Sequence, residues 1–259
     1  MIEQLLVSPD GLRVHLYYWA QDLGSVDGVT VCVPGIPNYP DKAYFKSLPE
    51  ALRNQAFMVL YYYGYWLSAG TFSVQGTSQS IVDCVEAIRA GGFKDAFTDK
   101  QLVSFTGPLS LLSYSFGANP LARATTKLEA STIDSISFVA PLGLVNKTQL
   151  TTVNASVIDN FYSYNAQFTQ FLARGYEKVI RLENKDELYQ YFQGEHPDGL
   201  VEVGEGFAEK TTIYYGNKDK MVSRPLLEQF AALFSPQQLR TFEDIGHSKH
   251  LITKALLKE

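Results

Sequence analysis

The chain has 259 residues, of which 46% are hydrophobic and 19% are charged, and its net charge is −5. This length and this hydrophobic fraction predict one large domain with a sizeable core. The acidic balance, without any run of Lys and Arg, argues against nucleic acid as a main partner, and no apolar stretch approaches the ~20 residues that span a bilayer.

The first half of the chain predicts strands that alternate with helices. Two strands, 5–7 and 12–20, are joined by the strong turn Pro9-Asp10-Gly11. The short β-branched run 29–33 is typical of a strand that is buried on both faces of a parallel sheet. The elements predicted after it are helix 43–54, strand 57–63, loop 64–76, helix 77–90 ending at Gly91-Gly92, an edge strand at 101–105, an apolar strand from Leu109, helix 118–127 and strand 133–139.

The composition changes from about Val145 to Glu209, where Tyr, Phe, Asn and Gln become frequent. We interpret this stretch as an insertion with helical patches at 157–172 and 185–192 and a hairpin at 199–204. The alternation then resumes with strand 211–215, helix 224–234, strand 238–242 and helix 249–258. The pattern predicts a doubly wound, mostly parallel sheet, with residues 1–144 and 210–259 as the core domain and 145–209 as the insertion.

The segment around Ser115 carries the first candidate for chemistry. It reads S-x-S-x-G between an apolar strand and a helix, one residue away from the G-x-S-x-G nucleophile elbow. In such a turn the serine occupies a strained backbone position and its hydroxyl projects clear of the sheet. We therefore choose Ser115 over Ser113 as the candidate nucleophile, although the same letters also occur in ordinary strand-to-helix turns.

An acid and a base candidate follow two later strands. Asp219 lies four residues past strand 211–215, and His247 follows Gly246 in the loop after strand 238–242. Each has an ordinary alternative, since Asp219 can cap a turn or helix and His247 can be a surface residue. His250 competes as the base, but its predicted place in the next helix favours His247. We expect His196, in the polar insertion, to be solvated.

At these positions the sequence resembles the α/β-hydrolase superfamily. The order Ser115, Asp219, His247 is that family's order of nucleophile, acid and base. The resemblance covers nearly the whole chain, and the motifs that carry it are S-Y-S-F-G, G-N-K-D-K-M-V, G-H-S and P-G-I-P. Two positions depart from the family pattern. Ser113 replaces the first elbow glycine, and Pro34 replaces the histidine of the H-G-x-P oxyanion loop.

The resemblance implies a serine hydrolase with a cap at 145–209 and without a cofactor or metal. His247 would act as the base for Ser115, Asp219 would orient the imidazole, and the backbone N–H groups of Ile36 and Phe116 would bind the oxyanion. A carboxylic ester or thioester is the expected substrate. Alternatives are an acyl-transferring thioesterase, a pseudo-enzyme, and a small-ligand receptor with this fold.

Aromatic residues near the same end of the sheet predict an apolar substrate pocket, or simply packing between cap and core. The residues chosen for substrate contact are Tyr39, Tyr63, Trp66 and Tyr114. The expected partner is therefore a small acyl compound.

The first residues lack the basic start and apolar core of a signal peptide, and the two cysteines, Cys32 and Cys84, are expected to be buried and reduced. Together these features favour a cytoplasmic location.

Overall fold

The computed structural model describes residues 1–36, 42–142, 146–150, 153–163, 179–199, 201–234 and 239–258. The strands in these ranges are β1 Ile2–Val7, β2 Arg13–Tyr18, β3 Gly28–Val33, β4 Gln55–Tyr61, β5 Lys94–Asp95, β6 Leu109–Tyr114, β7 Ser135–Val139, β8 Thr211–Gly216 and β9 Leu239–Phe242. They form one sheet in the order β5-β1-β2-β4-β3-β6-β7-β8-β9.

The direction of the strands divides the sheet into two parts. From β4 to β9 all neighbours are parallel. At the other edge, β2 is antiparallel to β4, and β1 is antiparallel to both β2 and β5. The predicted hairpin at Pro9-Asp10-Gly11 and the predicted mostly parallel sheet are therefore confirmed.

Helices connect the parallel strands and cover both faces of the sheet. They are α1 Lys42–Lys46, α2 Val74–Ala90, α3 Ala118–Thr125, α4 whose described residues are 155–163, α5 Lys185–Phe192, α6 Arg224–Ala231 and α7 His250–Leu256. In β3, Val31 packs in one core layer with Ile81 of α2, whereas its neighbour Cys32 packs in the other with Phe45 of α1. This alternation is the physical basis of the doubly wound, three-layer fold, which confirms the predicted fold class.

Two predicted helices differ from the structure at their ends. The helix expected at 43–54 stops at Lys46, and Glu50–Leu52 forms a separate 3-10 turn. Pro49 explains the break, because it lacks an N–H donor and disfavours a helical backbone in the residue before it. Helix α2 begins earlier than predicted because Ser73 caps it, with its Oγ accepting a hydrogen bond of 2.9 Å from the Gly76 N–H.

The predicted edge strand at 101–105 is wrong. The edge of the sheet is the two-residue strand β5, and only Gln101 of the predicted segment forms a bridge, to Lys94. The amides that follow are used elsewhere, since Leu102 donates to the Phe93 carbonyl and Phe105 donates to the Ile88 carbonyl. These bonds draw the segment to the end of α2 and away from the sheet edge.

The described part of the insertion adds no strand to the sheet, because β7 pairs directly with β8. Helix α5 has the bounds predicted for it, and residues 155–163 are helical, while 164–172 of the other predicted patch lie outside the described residues. The hairpin predicted at 199–204 is wrong. The amides of Val201 and Gly204 donate to the side chains of Gln149 and Thr125, so they are not available to a partner strand.

The remaining predicted strands and helices are present, with ends that differ by a few residues. Both cysteines are buried and free, as predicted. No helix within the described ranges is long and apolar enough to cross a bilayer.

Candidate active site

Ser115 lies in a sharp turn directly after strand β6, at the carboxyl end of the parallel strands. The strand ends at Tyr114, the 3-10 turn Ser115–Gly117 follows, and α3 begins at Ala118. Ser115 has a φ of 53°, a left-handed conformation that costs a non-glycine residue about 1–3 kcal/mol. The sheet and α3 therefore hold the serine in the strained turn that the sequence pattern indicates.

Close packing behind this turn requires Gly117. A Cβ atom at this position would lie 2.6 Å from the Val33 carbonyl oxygen and 2.9 Å from the Pro34 carbonyl oxygen. Both carbonyls belong to backbone that cannot move easily, so a larger residue would push α3 away from the end of β3. The glycine thus brings the elbow and the P-G-I loop side by side.

Ser113 and Ser115 lie in different surroundings although they are two residues apart. Ser113 is fully buried within β6, and its Oγ has no hydrogen-bond partner among the described residues. The Oγ of Ser115 lies 2.9 Å from Nε2 of His247. Only Ser115 of this pair therefore meets an ionisable group.

The loop after β8, residues 217–222, is called the acid loop here. It places the carboxylate of Asp219 where the side chain is fully buried. Its Oδ1 accepts hydrogen bonds from the backbone N–H groups of Met221, at 2.8 Å, and Val222, at 3.0 Å. Its Oδ2 lies 2.8 Å from Nδ1 of His247. The backbone bonds fix the carboxylate so that its second oxygen faces the imidazole.

The loop after β9, residues 243–249, is called the base loop here. It places the His247 ring between Asp219 and Ser115, at 2.8 Å and 2.9 Å. An ionised carboxylate only accepts hydrogen bonds, so Nδ1 carries the proton of the neutral ring and Nε2 accepts from the serine hydroxyl. His250 is exposed at the start of α7, and its backbone N–H donates to Ser248.

Backbone hydrogen bonds tie the acid loop to the base loop. The N–H of Asn217 donates to the Phe242 carbonyl at 2.9 Å, and the N–H of Lys218 donates to the Ile245 carbonyl at 2.9 Å. The two loops approach so closely at Gly216 that a Cβ there would lie 2.2 Å from the Ile245 oxygen. The relative position of Asp219 and His247 is therefore set by the main chain.

The predicted oxyanion donors flank Ser115. Phe116 is the residue that follows it in the turn, and the loop that carries Ile36 passes so close that a Cβ on Gly35 would lie 3.2 Å from the serine Cβ. Within the described residues, the N–H groups of Ile36 and Phe116 donate to no protein acceptor. These two N–H groups therefore remain available to a ligand.

Of the residues chosen for substrate contact, the structure brings Tyr114 to the site. Its ring centroid lies 5.3 Å from that of His247. Burial, with a smaller contribution from the charge of Asp219, raises the pKa of Tyr114 to about 12. This phenol therefore stays protonated beside the imidazole over the ordinary working range of pH.

The other three residues chosen for substrate contact have different places. The hydroxyl of Tyr63 donates to Asp83 of α2 at 2.9 Å. Trp66 is 40% exposed, and its backbone N–H donates to the Val179 carbonyl. The partners of these two residues are thus Asp83 and Val179, away from Ser115, Asp219 and His247 in the chain, and Tyr39 lies outside the described residues.

A buried aromatic cluster beside the elbow escaped the sequence analysis. The Phe116 ring lies 6.1 Å from Tyr62, 5.7 Å from Tyr191 and 5.8 Å from Phe192. Tyr62 follows the end of β4, and the other two rings come from α5. The signal available in the sequence was the helical spacing of α5, whose inner face carries both rings.

The other histidines serve packing and local hydrogen bonding. His15 lies on β2 with its Nδ1 2.8 Å from the Tyr61 hydroxyl, and burial lowers its pKa. His196 is not solvated as expected, because its side chain is only 12% exposed and lies against Glu187. In the described part of the chain, no three His, Cys, Asp or Glu side chains are grouped as they would be around a metal ion.

No protein-family model matches the sequence, and no curated protein matches it. Solved structures do resemble it. Est1E from Butyrivibrio proteoclasticus has a TM-score of 0.60 at 11% identity and covers 99% of this chain and 97% of its own. A serine hydrolase without a lid from Xanthomonas campestris has a TM-score of 0.57 at 17% identity, and the match covers 99% of this chain and 92% of that one. An esterase from Exiguobacterium antarcticum has a TM-score of 0.56 at 14% identity, and the match covers 99% of this chain and 98% of that one.

Proposed function

This chain has the α/β-hydrolase fold, and from that premise we propose that it is a serine hydrolase acting on a carboxylic ester or thioester through an acyl-enzyme on Ser115. The observation that carries the proposal is the continuous chain of hydrogen bonds from Asp219 through His247 to Ser115. The 2.9 Å link between His247 and Ser115 has the length that proton transfer from a nucleophile to its base requires, and the 2.8 Å link to Asp219 would orient the imidazole.

The proposed reaction begins with the serine hydroxyl. As Oγ of Ser115 attacks the acyl carbonyl carbon, its proton moves to Nε2 of His247. The buried carboxylate of Asp219 stabilises the imidazolium that forms and keeps Nδ1 protonated. The imidazolium then gives the proton to the departing alcohol or thiol. Water attacks the acyl-enzyme in the second half of the cycle, with the same histidine as its base.

The negative charge on the carbonyl oxygen needs donors that are already in place. We assign this role to the N–H groups of Ile36, in the loop that approaches Ser115, and of Phe116, the next residue in the turn, because neither has an acceptor among the described residues. Loss of one such donor raises the barrier by roughly 2.7–4 kcal/mol in other serine hydrolases. The left-handed backbone at Ser115 supports the assignment, because it marks the sharp turn between β6 and α3 in which the Phe116 N–H directly follows the serine.

Residues 145–209 are proposed to form a cap over this site. The support is that their described part adds no strand to the sheet and that α5 packs Tyr191 and Phe192 against the ring beside the serine. Tyr114 would contact the substrate next to His247. Aromatic walls of this kind favour a small molecule with an apolar acyl group or an aromatic group.

A fluorophosphonate probe tests the proposed function, because it phosphonylates only an activated serine. We expect the wild-type protein to be labelled with one adduct, which peptide mass spectrometry locates on Ser115, and to hydrolyse a short p-nitrophenyl ester. Ser115→Ala should remove both signals, and Ser113→Ala is the matched control that should retain both. An adduct on Ser113, or a folded wild-type protein that is neither labelled nor active, would contradict the proposal.

A further inference from the structure

Tyr62 links two segments that the proposed function uses. It follows the last residue of β4 and is fully buried. Its hydroxyl donates a hydrogen bond of 2.8 Å to the carbonyl oxygen of Pro34, in the loop after the neighbouring strand β3. No other backbone carbonyl of that loop is bonded to a buried side-chain hydroxyl in the described residues.

The ring of the same residue touches the other segment. It lies edge to face against the Phe116 ring at 6.1 Å and against Phe72 at 6.2 Å. Edge-to-face pairs at this separation are attractive and directional. One buried phenol therefore contacts, through its hydroxyl, the loop that carries Ile36 and, through its ring, the side chain of Phe116.

We propose that Tyr62 is a positioning residue that holds the backbone donors of Ile36 and Phe116 at the spacing an oxyanion needs. This inference rests on the proposed function. Tyr62 itself would not touch the substrate, since its hydroxyl is engaged by Pro34 and its ring is buried behind Phe116.

The geometry of the Pro34 peptide explains how one hydrogen bond has this effect. The proline ring fixes φ, and the peptide bond that follows is planar, so the direction of the Pro34 carbonyl depends on the single torsion ψ. That torsion also sets where Gly35 and Ile36 go next. A hydrogen bond to the carbonyl oxygen thus fixes the Pro34–Gly35 peptide. Gly35 is itself confined against Ser115 and Tyr114, so the restraint extends to the Ile36 N–H that follows.

The hydroxyl of Tyr62 is suited to permanent donation. Burial raises its pKa well above the ordinary value, so it keeps its proton over the whole range in which a serine hydrolase works. The carbonyl of Pro34 is also confined from the other side, because Gly117 approaches it closely. The loop is therefore held between the phenol and the elbow.

The chain offers a matched control one residue away. Tyr61 is as deeply buried as Tyr62, and its hydroxyl forms a hydrogen bond of 2.8 Å with His15 on the other face of the sheet. Tyr61→Phe and Tyr62→Phe each remove one buried phenol hydroxyl and keep the ring. Tyr62→Phe removes the bond to the Pro34 carbonyl, whereas Tyr61→Phe removes the bond to His15.

The test compares these variants on a short p-nitrophenyl ester and with a boronic acid, which forms a tetrahedral adduct on the serine. For Tyr62→Phe we expect kcat to fall about tenfold, less than the 10²–10³ reported for loss of a whole donor, with KM changed less than twofold. Affinity for the boronic acid should weaken by a similar factor. Tyr61→Phe should leave kcat and boronic acid affinity within twofold, with a similar loss of thermal stability.

Two outcomes would overturn the inference: a kcat for Tyr62→Phe equal to that of Tyr61→Phe, or a fall in kcat without weaker boronic acid binding. If Tyr62→Phe does not fold, Phe72→Leu loosens the support of the same ring, and an unchanged kcat in that variant also overturns it. Wild-type protein that is neither labelled by fluorophosphonate nor active would instead refute the proposed function, so the two failures are distinguishable.

Discussion

The two halves of the candidate site are held by different kinds of contact. The acid–base half consists of the acid loop and the base loop, and hydrogen bonds fix it. Both oxygens of the Asp219 carboxylate are engaged, and Asn217 and Lys218 bond the two loops through the backbone. Hydrogen bonds set directions, which the orientation of an imidazole requires.

The serine–oxyanion half consists of the ends of β3 and β6 with the turn at Ser115, and close packing fixes it. Gly117 lies against the carbonyls that end β3, and the Phe116 ring is enclosed by Tyr62, Tyr191 and Phe192. Packing sets positions within a few tenths of an ångström but leaves torsions to be fixed by single bonds, such as the one from Tyr62 to Pro34. The acid–base half should therefore be the more sensitive to lost hydrogen bonds, whereas close backbone approach at a glycine, Gly216 or Gly117, constrains both halves.

The largest effect is expected from removing the group that joins the two halves. His247→Ala should lower kcat by roughly 10⁵–10⁶, as loss of the base does in serine proteases, while thermal unfolding changes little. Steady-state hydrolysis of a p-nitrophenyl ester measures the loss. His250→Ala is the matched control and should stay within twofold of wild type, because its side chain is exposed and outside the chain of hydrogen bonds. The reverse ranking would show that His250 is the base.

A smaller loss is expected when only a bond of the acid–base half is changed. Asp219→Asn keeps the size of the side chain but places an amide where the carboxylate accepts the hydrogen bond of the Nδ1–H group. The wrong tautomer of His247 is then favoured, and kcat should fall about 10⁴-fold. A near-normal kcat, with the protein folded by circular dichroism, would mean that the buried carboxylate is a structural cap of the acid loop.

Substituted glycines compare the two halves directly. Gly216→Ala and Gly117→Ala place a Cβ 2.2 Å and 2.6 Å from a carbonyl oxygen in the acid–base half and the serine–oxyanion half, respectively. We expect each to cost about 1–3 kcal/mol of the free energy of unfolding and to lower kcat by about 10²-fold through misplacement. Urea unfolding and kinetics measure both quantities.

Gly246→Ala is the control for the acid–base half, because its Cβ would meet the Lys218 oxygen at a looser 3.2 Å. It should cost less stability and less activity than Gly216→Ala. If the two variants behave alike, the approach of the loops at Gly216 does not set the position of Asp219 and His247.

The smallest effect is expected at Ser113. Its hydroxyl is buried without a partner among the described residues, so Ser113→Ala should raise the free energy of unfolding by about 1 kcal/mol. Its kcat should remain within twofold of wild type, because packing at this position is unchanged. Lower stability in urea would show that the hydroxyl has a partner or fills space that alanine leaves empty.

The sequence predicted what depends on strand ends and chain order. Ser115, Asp219 and His247 each follow a different strand of a parallel sheet, and the carboxyl ends of such strands meet at one edge. The extent of α1 was missed because the apolar spacing continues across Pro49. The edge strand was misplaced because hydrogen bonds to α2 compete with pairing at the sheet edge.

The sequence could not separate buried aromatic residues that support the site from those that only pack. Tyr62 and Tyr63 are adjacent in the sequence, but their side chains point in different directions. The hydroxyl of Tyr62 contacts Pro34, whereas that of Tyr63 contacts Asp83. The unpaired hydroxyl of Ser113 could not be predicted either, because the sequence does not show whether a serine inside a strand has a hydrogen-bond partner.

The two cysteines lie in different layers of the core, so each thiol can report on the opening of one face of the sheet. Burial raises the pKa of Cys32 to about 12 and also raises that of Cys84, so neither presents a thiolate to a reagent in the native state. Cys32 packs with Phe45 of α1 on one face of the sheet, and Cys84 belongs to α2 on the other. The rates at which a thiol reagent modifies each one therefore time the opening of the two faces separately.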